Sequence, residues 1–296
     1  MSEKIWSVVV VAYESGELLD ACVASLVADT SAGAAPEVVV VDNGSRDGST
    51  ARVERAFPTA RVVRAGRNLG YAGGANLGIA ETHGPIVAVL NADTTVVVGT
   101  ARTMLTRFET EADLAAVGPR IDDVTGTRYP SARRVPSVGD AVGHGMFGLF
   151  WRGNPFTRRY RELDADPDRS RDVDWVSGAA IWLRRAALDA IGGWDAGFFM
   201  YVEEVDLCSR LRGAGWRVSY EPRGRVVHVQ GASTARRPLR MVLAHHRSLL
   251  RFAAKRWTGW RRALLVPAAF FLAARCMVVM CVTALSPRPK IQKTSG

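Results

Sequence analysis

Short, almost wholly apolar runs alternate with polar, glycine-rich stretches over the first ninety residues. Residues 6–12 (Trp-Ser-Val-Val-Val-Val-Ala) and 37–42 (Glu-Val-Val-Val-Val-Asp) are β-branched and nearly continuous. That is the pattern of strands covered on both faces. Residues 61–64 form a third, shorter run and 85–90 a fourth. Between them, residues 16–28, 50–57 and 70–82 read as helices, the second following a turn at 43–49 in which Asp47 or Ser49 is a candidate cap. Strands alternating with helices predict an α/β fold with a mostly parallel sheet flanked by helices.

The texture then changes. From about 120 to 172, Pro, Gly and Arg are frequent and periodicity is weak, which predicts long loops with at most short helices. Residues 173–184, 216–221 and 225–229 return to strand-like character. Further on, Leu239, Val242, Leu243, Leu250 and Ala253 recur at helical spacing, with Arg240, Arg247 and Arg251 on another stripe. A basic amphipathic helix of this kind suits a membrane surface. Residues 263–285 carry one charge, Arg275. A helix of that length would extend about 34 Å, enough to cross a bilayer core. A mid-helix arginine costs roughly 2.5–3.5 kcal/mol on insertion scales. The tail cations Arg288, Lys290 and Lys293 favour the cytoplasmic side. A span, an in-plane or re-entrant helix and a buried soluble helix all remain open.

Composition narrows the partners. The net charge is +10, nearly all from arginine, since lysine occurs only at 4, 255, 290 and 293. A basic C-terminal third beside apolar segments points to an anionic membrane surface or a phosphate-bearing substrate. Nucleic acid is not expected, because zinc spacing, a basic coiled coil and an aromatic RNA-binding motif are all missing. The four cysteines form no CxxC pair, and the first residues lack the apolar stretch of a signal peptide, which fits a reduced, cytoplasmic setting.

Candidate chemistry gathers at predicted strand ends, where open α/β sheets bind ligands. Tyr13 and Glu14 follow the first strand, Asp42 the second, and Asn91-Ala-Asp93 the fourth. Each taken singly also reads as a turn or helix cap. Asn91 and Asp93 offer oxygens suited to a hard divalent cation that keeps water and bridges phosphates. His228, on a late strand, is a nitrogen ligand or a structural histidine. Residues 67–78 form a glycine-rich helix entry in which Gly70, Gly73 and Gly74 permit close backbone approach. They match neither the dinucleotide nor the P-loop spacing. Residues 198–210 set Glu203, Glu204 and Asp206 within an apolar run. They are either a solvated helix start or a functional acid cluster.

Five segments together resemble a known family: residues 9–14 (Val-Val-Val-Ala-Tyr-Glu), 39–49, 68–76, 90–94 (Leu-Asn-Ala-Asp-Thr) and 199–208 (Phe-Met-Tyr-Val-Glu-Glu-Val-Asp-Leu-Cys). In order and content they are similar to the family 2 inverting glycosyltransferases, and within these to the rhamnosyltransferase branch. The resemblance implies a GT-A fold, a Rossmann-like domain over 1–235 with a nucleotide-sugar half at about 1–118 and an acceptor half at about 119–235. Residues 236–296 would then form C-terminal membrane-associated helices at the cytoplasmic face of the cell membrane.

The resemblance also implies roles. Tyr13, Glu14 and Asp42 would hold the base of the nucleotide sugar. Asn43, Asn68, Gly73 and Asn91 would line its path. Asp93 with His228 would hold Mg²⁺ or Mn²⁺. Glu204 occupies the position of the catalytic base, where aspartate is commoner, with Glu203 and Asp206 beside it. Trp175, Ser177 and Gly178 would shape the acceptor side. The implied donor is dTDP-rhamnose and the acceptor an N-acetylglucosaminyl-diphospho-polyprenol used in building the arabinogalactan linker of a cell wall. Two other readings are open: another nucleotide sugar with another glycolipid, and a non-catalytic nucleotide-sugar-binding membrane scaffold.

Overall fold

The computed structural model describes residues 6–33, 35–148, 150–151, 153–229 and 238–285. The first half runs β1 (Ser7–Ala12), α1 (Leu18–Ala28), β2 (Glu37–Asp42), α2 (Ser49–Ala56), β3 (Arg61–Arg64), α3 (Gly70–Ala80), β4 (Ile86–Asn91), β5 (Thr94–Val96), α4 (Thr100–Thr110) and β6 (Leu114–Asp122). The second adds β7 (Arg128–Tyr129), β8 (Ala132–Arg133), α5 (Val138–Phe147), α6 (Pro155–Arg161), β9 (Arg171–Asp172), β10 (Trp175–Val176), β11 (Ala180–Arg184), α7 (Arg185–Ala190), α8 (Glu203–Gly213) and β12 (Arg217–His228). Two long helices follow, α9 (Pro238–Arg256) and α10 (Leu265–Leu285).

The continuous valine runs become strands because both faces of the sheet are covered. Val8, Val10, Val38 and Val40 point to one side, packed with Leu19, Val23 and Val53. Val9, Val39, Val41, Val87 and Val89 point to the other, packed with Tyr71, Ala72, Ala75 and Leu207. Period-two side-chain direction over two buried faces leaves no polar position to alternate with.

The strand order is β3-β2-β1-β4-β11-β6-β12-β5, with β7 beside β6 and β9 beside β12. β3, β2, β1 and β4 are mutually parallel, as the sequence predicts. β11 then enters antiparallel to both β4 and β6, so the whole sheet is mixed. β6 and β12 are parallel to each other. Several elements were not legible. β6 contains Ala, Gly and Pro among its nine residues, which lowers its strand signal. The strand-like stretch 173–184 is interrupted by the turn at 177–179, and 216–229 forms one strand with a register shift between Glu221 and Arg225. The expected boundary at 235/236 and the cations Arg288, Lys290 and Lys293 lie outside the described residues.

α9 joins the core rather than standing apart. Leu249 and Phe252 pack on the main apolar cluster, and the Ser248 hydroxyl donates to the Met200 carbonyl at 2.9 Å. Lys255 reaches Asp195 at 2.7 Å and Asp206 at 2.6 Å, and Arg251 reaches Asp195 at 3.0 Å. α10 packs along α9. The segment Gly259–Leu285 is long and apolar enough to cross a membrane. Yet the one cation of α10 is engaged by protein: Arg275 donates through Nε to the Gly145 carbonyl at 3.0 Å and through Nη1 to His246 Nε2 at 2.8 Å. The other ring nitrogen of His246 donates to the Val242 carbonyl at 2.8 Å, which fixes its tautomer.

The Asp195 clamp gives a prediction. Burial raises the Asp195 pKa, but Lys255, the Gly197 N–H and Arg251 outweigh it and bring the value down to about 2. A depressed carboxylate contributes stability above its unfolded pKa and loses it as pH falls through the folded one. Asp195→Ala should therefore cost about 1–2 kcal/mol at neutral pH, allowing for solvent screening. The deficit should narrow between about pH 4 and pH 2. Denaturant melts over pH, with hydrogen exchange across 238–256, would check both.

Candidate active site

The carboxyl ends of β1, β2 and β4 meet at one edge of the sheet, and three other elements are brought to it. β11 starts there, because the Asn91 N–H donates to the Ala179 carbonyl at 2.9 Å. β12 ends there, with His228 opposite Thr94. The first turn of α8 approaches from the opposite face. They enclose a cavity of about 1260 Å³. That exceeds the usual 300–1,000 Å³ of a small-molecule site and leaves room for two substrates.

Tyr13, Glu14, Asn43, Asn68, Asn91 and Asp93 all line this cavity. Asn43 is 3% exposed and ties two strand-end loops together. Its Oδ1 accepts from the Leu69 N–H at 2.8 Å, and its Nδ2 donates to the Gly70 carbonyl at 3.0 Å. Asn68 Oδ1 accepts from the Gly70 N–H at 2.9 Å. Glu14 has a φ of 50° and accepts from the Arg46 N–H at 3.0 Å. Two expected members stand back from the wall. Asp42 accepts from the Ser45 N–H at 2.8 Å and the Thr50 hydroxyl at 2.9 Å, so it fixes the turn after β2. At Gly73 a Cβ would meet Leu69 at 2.9 Å, so its small size serves the helix entry and not the cavity. Gly70 does what a close approach requires: φ is 77°, and an added Cβ would lie 2.4 Å from the Phe199 carbonyl.

Asp93 and His228 come together from β4 and β12, with Nε2 to Oδ1 at 3.1 Å, and the Asn91 amide lies 3.4 Å from the same nitrogen. No group of three or more His, Cys, Asp or Glu side chains able to cage a metal occurs among the described residues. One carboxylate and one imidazole facing an open cavity do fit a hard cation that keeps water and shares its other positions with phosphate oxygens.

Glu203 and Glu204 open α8 and both line the cavity. The two residues before them, Tyr201 and Val202, have φ of 66° and 69°, which is strained for non-glycine and most of all for a β-branched residue. Glu203 is 5% exposed, and its Oε2 has no hydrogen-bond partner among the described residues. Burial, then the charge of Glu204, pushes the Glu203 carboxyl well above the usual range. Burial also raises Glu204, but the Arg133 cation opposes that rise. The asymmetry makes Glu203 the member of the pair that holds a proton more firmly. Asp206 does not share this setting. Its oxygens are taken by Arg210 at 2.7 Å and Lys255 at 2.6 Å, and it serves to fasten α8 to α9.

Ser177 and Gly178 line the wall facing Glu204, where a Cβ on Gly178 would sit 3.3 Å from the Glu204 Cβ. Trp175 stands behind that wall, with Nε1 donating to the Arg134 carbonyl at 2.9 Å. The Arg133 guanidinium lies 4.9 Å from the Trp175 ring and donates to the Tyr129 hydroxyl at 2.5 Å. Arg133, Tyr129 and Tyr71 escaped the sequence reading. Tyr71 is buried beneath the acids and donates its hydroxyl to the Gly178 carbonyl at 2.5 Å. Its place in the glycine-rich entry was the only signal for it. Arg133 sat in the aperiodic stretch among many arginines and carried none.

Comparison with known proteins bears on this geometry. Residues 7–192 match the family described as Glycosyl transferase family 2. The chain is 38% identical over 267 residues to a Mycobacterium tuberculosis protein named N-acetylglucosaminyl-diphospho-decaprenol L-rhamnosyltransferase, covering 86% of each chain. Among solved structures, GalNAc-T7 with UDP, GalNAc and Mn²⁺ superposes with a TM-score of 0.63 at 16% identity, over 96% of this chain and 58% of that one. A mannosyltransferase from Pyrobaculum calidifontis in complex with GDP-Man and Mn²⁺ gives 0.56 at 16% identity, over 96% and 76%.

The acid pair yields a stability test. A carboxyl with a raised folded pKa contributes its full stability below the unfolded value and loses it as pH rises through the folded one. Glu203→Gln should match the wild type near pH 4 and gain on it steadily from pH 5 to pH 9. Melting temperatures of both proteins across that range are the measurement. A constant difference would show that Glu203 is ionised throughout.

Proposed function

The chain belongs to the family 2 glycosyltransferases, with a GT-A fold, and from that premise we propose that it transfers L-rhamnose from dTDP-rhamnose to an N-acetylglucosaminyl-diphospho-polyprenol. This is the linker-forming step of arabinogalactan assembly. The observation that carries the reading is the 38% identity over 86% of both chains to the enzyme of that name. A cavity large enough for donor and acceptor supports it.

The roles proposed are those the family resemblance implies, and the lining of the cavity supports them. Tyr13, Glu14, Asn43 and Asn68 hold the nucleotide sugar at the strand ends, with Asp42 and Gly73 shaping the loops behind them. Asp93 and His228, with Asn91 beside them, would hold Mg²⁺ or Mn²⁺. Such a cation, when bound, supplies positive charge against the departing nucleoside diphosphate. Glu204 takes the proton from the acceptor hydroxyl as that oxygen attacks the anomeric carbon. Arg133 opposes the rise that burial imposes on Glu204, and a neutral Glu203 adds no second charge beside it. Ser177 and Gly178, backed by Trp175, position the acceptor. One displacement inverts the anomeric centre without a covalent sugar–enzyme intermediate, so no second catalytic carboxylate is required.

Residues 1–235 are assigned to the glycosyltransferase domain and 236–296 to membrane association at the cytoplasmic face, with α9 shared between them. The engagement of Arg275 by Gly145 and His246 favours an α10 lying in the interface plane over one crossing the bilayer. Phe270 and Met277 on its open side are 74% and 64% exposed.

Two outcomes are expected. Glu204→Gln should bind dTDP-rhamnose normally but transfer about 10²–10⁴-fold more slowly, the range for loss of a general base. Transfer by the wild type should also stop with chelator. Radiolabelled rhamnose transfer in detergent, with UDP-sugars as control donors, checks both; normal turnover by Glu204→Gln would remove it as the base. Secondly, Phe270→Glu with Met277→Glu should leave detergent activity intact and abolish co-sedimentation with anionic vesicles. Unchanged sedimentation would refute the in-plane anchor.

A further inference from the structure

The arginine stripe of α9, which its sequence spacing offers to a membrane surface, faces the cavity. Arg240, Met241, Leu243, Ala244, Arg247 and Ser248 lie on one side of the helix and all line it. Arg251, next along the stripe, is tied to Asp195. Arg240 and Arg247 have no hydrogen-bond or ion-pair partner among the described residues. Two free guanidinium groups facing one cavity form a ready site for an anion with several oxygens. Their seven-residue separation sets them about 10 Å apart along the axis. Two flexible side chains can close that distance on a diphosphate.

Both substrates of the proposed reaction carry a diphosphate, and the structure separates the places for them. Asp93 and His228 serve one, at the ends of β4 and β12. α9 is fastened instead to the loop that leads into Glu204. Ser248 bonds the Met200 carbonyl, and the ring of His245 meets that of Tyr201 edge-on at 5.4 Å. The acceptor's reacting hydroxyl and its diphosphate sit on the same sugar ring. With the hydroxyl at Glu204, the diphosphate must lie within a few ångströms of that loop, which is where α9 stands. Leu239 and Leu243, 39% and 38% exposed, flank the arginines with apolar surface, as a polyprenyl tail would need.

We infer that Arg240 and Arg247 of α9 form the subsite that grips the diphosphate of the lipid acceptor, its tail leaving past Leu239 and Leu243. The inference rests on the rhamnosyltransferase reading for the acceptor's identity, but the phosphate site itself can be tested apart from it. Farnesyl diphosphate is the probe, titrated calorimetrically into the full chain in detergent with chelator present. Wild type binds it, and saturating dTDP does not displace it. Arg240→Ala and Arg247→Ala each weaken binding about tenfold and the double variant about a hundredfold, while lysine at either position restores part. Equal binding by wild type and the double variant overturns the subsite, whether or not rhamnose transfer is ever seen. Displacement by dTDP also overturns it, by placing the arginines at the donor.

Kinetics supply the second arm. With farnesyl-diphospho-N-acetylglucosamine, the single variants raise the acceptor KM about tenfold and leave the KM for dTDP-rhamnose unchanged. A donor KM that rises alone contradicts the inference. So does normal acceptor KM in detergent with lost binding to phosphatidylglycerol vesicles, which would return the stripe to the lipid headgroups. Absence of any transfer by the wild type would refute the proposed reaction and leave the calorimetric result to decide the subsite.

Discussion

Two adjacent carboxyl groups buried at the start of one helix are the constraint around which this molecule is arranged. Burial pushes both Glu203 and Glu204 toward the protonated form, Glu203 further because of its charged neighbour, and Arg133 opposes the rise at Glu204. Arg133 is in turn held by Tyr129, Tyr160 and the Trp175 ring, so the aperiodic stretch before β9 folds to cradle one guanidinium. The same constraint reaches backward along the chain. The left-handed turn at Tyr201 and Val202 aims both acids at the cavity, and Gly70 makes room for the loop that carries the turn. Ser248 and His245 of α9 brace it from outside. The strain is local, and the contacts that brace it come from α3 and α9.

The parallel half of the fold was legible because its signals are short-range. A run of valines between polar turns can hardly be anything but a doubly covered strand, and the strand ends followed from it. Asn43, Asn91 and Asp93 therefore fell where expected. The second half was legible as elements but not as topology: 173–184, 216–221 and 225–229 read as strands and the last two helices were expected, while strand direction and partners depend on distant residues. β11 is a strand antiparallel to β4 and β6, which no local pattern announces. Asp206 looked like a third catalytic acid until α9 supplied Lys255 to occupy it. Asp42 reads identically whether it meets a ligand or a turn, and the backbone geometry after β2 decides for the turn. The arginines of α9 were visible as a stripe, but which way the stripe pointed depended on Leu249 and Phe252 choosing the core.

The two halves of the cavity are consequently built by different means. The wall proposed for the donor is made of loops anchored in a parallel sheet, where each strand end is fixed by its neighbours' hydrogen bonds. The wall proposed for the acceptor is made of helix faces held by ion pairs and a few side-chain bonds, Asp195 and Asp206 chief among them. Changes of acceptor can thus be accommodated by altering α8, α9 and the Arg133 cradle while the nucleotide side stays as it is.

α9 and α10 also set the geometry of encounter. With Arg275 held by Gly145 and His246, the apolar helix packs along α9, the helix whose other side lines the cavity. A catalyst seated on a membrane through such a helix, as proposed above, would meet its lipid by sliding within a sheet of molecules, not by collision in three dimensions. Its working substrate concentration is then a surface density. Turnover would respond to how thinly the acceptor is spread over the membrane and would be nearly indifferent to the volume of the compartment behind it. The soluble sugar nucleotide alone would still arrive through bulk water.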